Sequence, residues 1–295
     1  MNKLLGILLA LAGLFTVAAA ILYRIFLKTD IKKFPSKSQR EDEKWLHTVK
    51  RKDVYITSRD GLFLHGSYVK NKSDNWVILV HGYDAESGNM GCYAEKFYNR
   101  GYSVFLPDLR GNGLSEGREI TMGHLERLDI CDWINKLISE MGAEKILLFG
   151  VSMGASTVML TSAEKLPDNV KAVIEDCGYT SVRDEFAYNM KQLLHLPPYP
   201  VLWIVDIITR IRKGWSVMKN ADCIKAVGKR RLPILLIHGS ADTFVPFEMH
   251  DRLFEAAAEP KEKLVIYGAG HVESSSTEPE IYWGRVLEFA DKYMK

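Results

Sequence analysis

The sequence predicts an α/β protein built on one doubly wound, mostly parallel sheet. Short apolar runs recur along residues 76–268. Runs of this kind suit strands buried on both faces by helices. The intervals between them carry helix-spaced apolar residues, and strand–helix alternation implies a sheet with helices on both sides.

The chain has 295 residues, 47% hydrophobic and 26% charged, an ordinary globular composition. The net charge of +2 is uneven, with 9 Lys/Arg against 4 Asp/Glu in residues 1–50, leaving 30 against 33 beyond. A mildly acidic body offers no broad basic surface, which excludes nucleic acid as an expected partner. Four cysteines lie far apart without a C-x-x-C pair, so neither a zinc site nor a disulfide framework is indicated. Cys131 and Cys177 read as small buried hydrophobes. Neither a metal nor a cofactor is expected, and the oligomeric state is not legible.

Taken in order, residues 4–23 form twenty uncharged positions, which as a helix span roughly 30 Å, a bilayer core. Residues 1–27 are therefore expected to be a transmembrane helix or a signal-like segment. Ala18-Ala19-Ala20 would suit cleavage, whereas the apolar continuation through Ile21, Leu22 and Tyr23 favours an uncleaved, single-pass anchor. Arg24, Lys28, Lys32, Lys33 and Lys37 follow it, which puts the body on the cytoplasmic side by the positive-inside rule. Residues 28–52 read as a polar linker and a short helix.

Residues 53–295 form the body. "DVYITS" and "LFLHGSYV" flank Arg59-Asp60-Gly61, and Asp-Gly suits a hairpin. Buried strands are expected at "WVILVHG" (76–82), "SVFLPD" (103–108), "ILLFG" (146–150), "AVIEDC" (172–177), "ILLIHG" (234–239) and "LVIYG" (264–268). Helices are expected up to Gly101, then at 124–141, 153–165, 247–258 and 279–293. The interval of about 178–233 is too long for a connection and carries "HLPPYPVLWIVDIITRIRKGW". It reads as a helical cap over the strand ends.

The chemistry centres on "GVSMGAS". A serine between two glycines, at an abrupt passage from strand to helix, can be lifted off the sheet as a nucleophile. A hydroxyl needs an imidazole to take its proton and an acid to orient that imidazole. Asp242 in "HGSADTFVP" and His271 in "YGAGHVES" each follow a buried strand, and the order Ser152, Asp242, His271 suits this architecture. Alone, Asp242 could merely cap a helix and His271 could be a surface residue. The backbone N–H groups of Tyr83 and Met153 are the expected oxyanion donors.

"VHGYDAES", "PDLRGNGLSEG", "GVSMGAS", "HGSADTFVP" and "GAGHVES" together resemble the α/β-hydrolase superfamily. More narrowly, the chain is similar to bacterial esterase/lipase-like hydrolases with an N-terminal membrane segment and a helical cap. The resemblance implies metal-free serine hydrolysis of a small-molecule or lipid acyl ester, with Ser152, Asp242 and His271 as nucleophile, acid and base. It also implies structural roles for Asp108, Arg110 and Ser115. A peptidase or amidase on the same residues, or a non-catalytic membrane-tethered binding module, remains open at this point.

Overall fold

A computed structural model describes residues 2–27, 43–192 and 195–295. One sheet holds β1 (Lys52–Thr57), β2 (Phe63–Val69), β3 (Asn75–Val80), β4 (Ser103–Pro107), β5 (Lys145–Val151), β6 (Val170–Asp176), β7 (Ile234–Gly239) and β8 (Lys261–Ile266). Their order in space is β1-β2-β4-β3-β5-β6-β7-β8, antiparallel between β1 and β2 and between β2 and β4, and parallel elsewhere. The expected mostly parallel sheet is therefore present, and the Asp60-Gly61 turn joins its antiparallel edge, with Gly61 at φ 89°.

Burial explains the sequence patterns. β4 and β7 are buried at every position, as are β3 and β5 beyond their first residues, which is why those strands read as unbroken apolar runs. Edge strand β1 alternates exposed and half-buried positions along most of its length. Successive side chains leave opposite faces of the sheet. Trp76, Ile78 and Val80 enter one core, whereas Val77 and Leu79 enter the other.

The helices are α1 (Asn2–Leu27), α2 (Gly91–Asn99), α3 (Glu126–Met141), α4 (Met153–Thr161), α5 (Val182–Gln192), α6 (Val201–Lys213), α7 (Cys223–Lys229), α8 (Phe247–Ala256), the single turn α9 (Ser274–Thr277) and α10 (Pro279–Met294). Helices α3 to α8 and the end of α1 contribute to the first core, α2 and α10 to the second. Gly142, at φ 67°, ends α3 in the left-handed conformation that glycine adopts without strain. Among the described residues, three helices, α5 to α7, occupy the long interval between β6 and β7.

The N-terminal segment requires a correction. The single-pass anchor, and with it the cytoplasmic placement of the body, is contradicted: no helix among the described residues is long and apolar enough to cross a membrane. The last turns of α1 bury Ala19, Leu22, Tyr23 and Leu27 in the first core and pack against α6. The Tyr23 hydroxyl donates to Glu119 at 2.8 Å, and Ile120 N–H donates to the Leu27 carbonyl at 3.0 Å. Summed hydropathy cannot distinguish a face that meets lipid from one that meets the protein's own helices. The linker expected at 28–52 lies outside the described residues up to position 42, and beyond it a single 3-10 turn spans Trp45–His47.

Candidate active site

β3 lies between β4 and β5, so the chain reverses its direction of travel across the sheet there. Such a switch leaves a crevice beyond the strands' carboxyl ends. Ser152 stands at that switch point, between the end of β5 and the first residue of α4, with φ 56° and ψ −118°. This backbone conformation is strained for any residue with a Cβ and persists only where its surroundings impose it. Ser152 N–H donates to the Asp176 carbonyl at 2.8 Å, and the Ser152 carbonyl accepts Ser156 N–H at 3.1 Å. One bond ties the residue to the neighbouring strand and the other to its own helix.

The flanking glycines have a packing reason. A Cβ on Gly150 would overlap the Gly154 carbonyl, and one on Gly154 would overlap the Val80 and His81 carbonyls, all inside 3.0 Å. The first turn of α4 thus lies directly on β3 and β5, which holds the serine backbone in its sharp bend.

The structure brings the other two expected side chains to this serine. Ser152 Oγ lies 2.8 Å from His271 Nε2, and His271 Nδ1 lies 2.7 Å from Asp242 Oδ2. Two loops make this possible. Gly239 permits the end of β7 to approach the Ala269 carbonyl closer than a side chain would, and Ala241 N–H donates to that carbonyl at 2.9 Å. Asp242 caps no helix; its Oδ1 accepts Phe244 and Val245 N–H, both at 2.9 Å, leaving Oδ2 for the imidazole.

Burial alone would raise the Asp242 carboxyl, but hydrogen bonds from His238 and His271 outweigh it and hold the group well below the usual carboxylate range. An ionised Asp242 accepts the proton on Nδ1, so Nε2 offers its lone pair to Ser152. Ser152 and Asp242 are buried, while the His271 side chain is 21% exposed, and Phe244 packs against its ring at 5.0 Å. Such a chain can withdraw a proton from a hydroxyl as that hydroxyl attacks a carbonyl.

The segments that carry the two nominated donors border the same serine. Met153 begins α4, and the first N–H groups of a helix have no intrahelical acceptor. The loop after β3 passes beside Ser152, where a Cβ on Gly82 would lie 3.4 Å from the serine Cβ. His81 fixes that loop, donating from Nδ1 to the Gly82 carbonyl at 2.8 Å and accepting Leu109 N–H on Nε2 at 3.0 Å. Burial, then Asp84, pushes the Tyr83 phenol up to about 12, so it stays neutral at ordinary pH.

Asp108, Arg110 and Ser115 form the scaffold of a loop instead. Asp108 accepts Ser87 and Leu114 N–H and bonds His65 Nδ1, Arg110 pairs with Asp129 and Asp60, and the Ser115 hydroxyl donates to the Asp108 carbonyl.

Sequence reasoning missed three buried groups. His238 donates from Nε2 to the Val245 carbonyl at 2.9 Å and approaches Asp242 Oδ2 at 3.3 Å. Glu175 and Glu185 are buried carboxyls, each with one oxygen unpartnered, and burial pushes both up to about 8. The only sequence signal was a charged residue among apolar neighbours in "AVIEDC"; Glu185 and His238 gave none.

The Glu185 shift has a defined sign. A carboxyl raised from 4.5 to about 8 contributes stability that is full below the unfolded value and is lost as pH rises through the folded one. Glu185→Gln, which cannot ionise, is therefore expected to flatten the fall in melting temperature between about pH 5 and 8. Parallel melting curves for the two proteins over that range would rule this out.

Residues 71–220 match the family described as "Serine aminopeptidase, S33". YqkD of Bacillus subtilis is 26% identical over 296 residues, covering 97% of each chain. The lysophosphatidylserine lipase ABHD12 of Danio rerio is 27% identical over 195 residues, covering 63% of this chain and 48% of that one. Among solved structures, the Pyrococcus furiosus esterase Pf2001 superposes with a TM-score of 0.72 at 24% identity, over 91% of this chain and 99% of that one, a likeness of fold. The family match spans half of the chain, and the sheet order and strand-end site agree with it. The chain belongs to the α/β-hydrolase superfamily, in the serine aminopeptidase S33 family of hydrolases.

Proposed function

We propose that this hydrolase is a serine esterase that cleaves a small-molecule or lipid acyl ester through an acyl-enzyme. The observation that carries the reading is the unbroken path from Ser152 Oγ through the His271 ring to Asp242, with links of 2.8 and 2.7 Å. His271 Nε2 takes the serine proton as Oγ attacks the ester carbonyl. Asp242 holds the ring in its Nδ1–H form and stabilises the imidazolium. The negative charge that develops on the carbonyl oxygen meets the N–H groups of Met153 and Tyr83, each donor worth about 3 kcal/mol in comparable sites. The imidazolium then protonates the leaving alcohol. Water, deprotonated by the same nitrogen, releases the acid and restores the serine.

We read α5 to α7 as a cap over this site. Helix α5 follows the carboxyl end of β6, the strand beside the one that leads to Ser152. The lipase among the relatives supports an acyl ester as the substrate class.

The family description favours a second reading, an aminopeptidase on the same three residues. Turnover of p-nitrophenyl butyrate is expected to exceed that of aminoacyl p-nitroanilides by at least about a hundredfold in kcat/KM, a difference of about 2.7 kcal/mol. Faster cleavage of the anilides would overturn the ester assignment and leave the aminopeptidase.

A further inference from the structure

Cys177 follows β6 directly and holds φ 53°, with its N–H donating to the Ile237 carbonyl at 2.9 Å. This fixed backbone turns the thiol toward the candidate site, not toward solvent. The sulfur, a carboxylate oxygen of Asp242 and a ring nitrogen of His271 all lie within 4.8 Å of one another. No step of the proposed hydrolysis uses the thiol.

One thiolate, one carboxylate and one imidazole form a donor set that a divalent ion of borderline softness prefers. Zinc bonds of roughly 2.0–2.3 Å imply donor separations of about 3.3–3.6 Å around a tetrahedral ion. The Asp242–His271 contact of 2.7 Å would have to open slightly, and no separation would have to close by more than about 1 Å. The His271 side chain, the most exposed of the three at 21%, is the movable part and the route of entry.

We propose that Cys177, Asp242 and His271 form an inhibitory site for a zinc-like divalent cation, which switches the hydrolase off by capturing its base. The ion takes the lone pair of His271 Nδ1, and the ring proton passes to Nε2. That nitrogen then faces Ser152 as a donor and cannot accept the serine proton. The Cys177 thiol loses its proton to solvent as sulfur binds the metal, so one proton is released for each ion bound. Nothing is oxidised or reduced. Without metal, burial keeps the thiol protonated and inert, and a bound cation reverses that balance.

The inhibition rests on the proposed hydrolysis; the binding does not, so the test has two readouts. The first titrates zinc chloride into the full chain during p-nitrophenyl butyrate turnover. Wild type is expected to lose activity and to regain it on adding a chelator. Cys177→Ala is expected to keep its metal-free turnover and to need at least about tenfold more zinc for half inhibition. The second adds cobalt(II) and follows the thiolate-to-cobalt charge-transfer absorption. It should appear in wild type and in Ser152→Ala, and should be lost in Cys177→Ala.

Cys177→Ser serves as the second variant if the alanine protein does not fold, and it should lack the absorption too. Cobalt absorption without ester turnover would support the metal site while removing the esterase reading. Equal zinc sensitivity in wild type and both cysteine variants, or no charge-transfer absorption in wild type, would overturn the site.

Discussion

Ser152→Ala is expected to reduce ester turnover by about 10⁴- to 10⁶-fold, the scale on which removal of such a nucleophile acts in serine hydrolases. The fold should survive, because the features that impose the bend at residue 152 do not involve its hydroxyl. Its N–H bond to Asp176 and its carbonyl bond from Ser156 belong to the backbone and persist in alanine. The variant should melt within a few degrees of wild type and lose all labelling by a fluorophosphonate probe. Ester turnover within tenfold of wild type, in a protein free of contaminating esterase, would remove Ser152 as nucleophile and the mechanism with it.

Gly154→Ala should fail in the opposite way, through structure first. The added methyl group meets the Val80 and His81 carbonyls inside 3.0 Å, and these are backbone atoms of the sheet's centre, not flexible side-chain ends. Helix α4 must then lift from β3, and all nine of its residues are buried. Overpacking of a rigid interior typically costs up to about 3 kcal/mol and sometimes more. At roughly 2 °C per kcal/mol for a chain of this size, the melting temperature should fall by about 6 °C. Activity should fall further than stability explains, since lifting α4 moves Ser152 and the Met153 N–H together. A Gly154→Ala protein with wild-type melting and turnover would show that this contact is not what shapes the bend.

Much of this was legible in the sequence because it depended on local signals. Central strands such as β5 and β7 announce themselves by continuous apolar runs, and Asp60-Gly61 announces the hairpin. Ser152, Asp242 and His271 could be nominated because each stands in the loop after a recognisable strand. What stayed hidden depended on pairings across the sheet. His238 matters only because the loop after β7 folds back to put Asp242 beside it. Glu175 and Glu185 carry shifted protonation only because distant helices and strands seal them from water. Cys177 read correctly as buried, yet its neighbours could not be read from a linear string. The N-terminal helix misled for a related reason. Its apolar count is the sum of two faces, and only the folded chain reveals that Ala19, Leu22, Tyr23 and Leu27 are turned inward.

That inward-turned face bears on how the protein can be handled. Leu22 forms one wall of a small apolar cavity whose other walls are Phe186, Met190, Leu202 and Val205. Trimming the first 27 residues as though they were a dispensable leader would open that wall to water and strip the covering from α6. The trimmed protein would then present raw oily surface beside the helices read as covering the active site, inviting self-association and loosening whatever grip they have on an acyl chain.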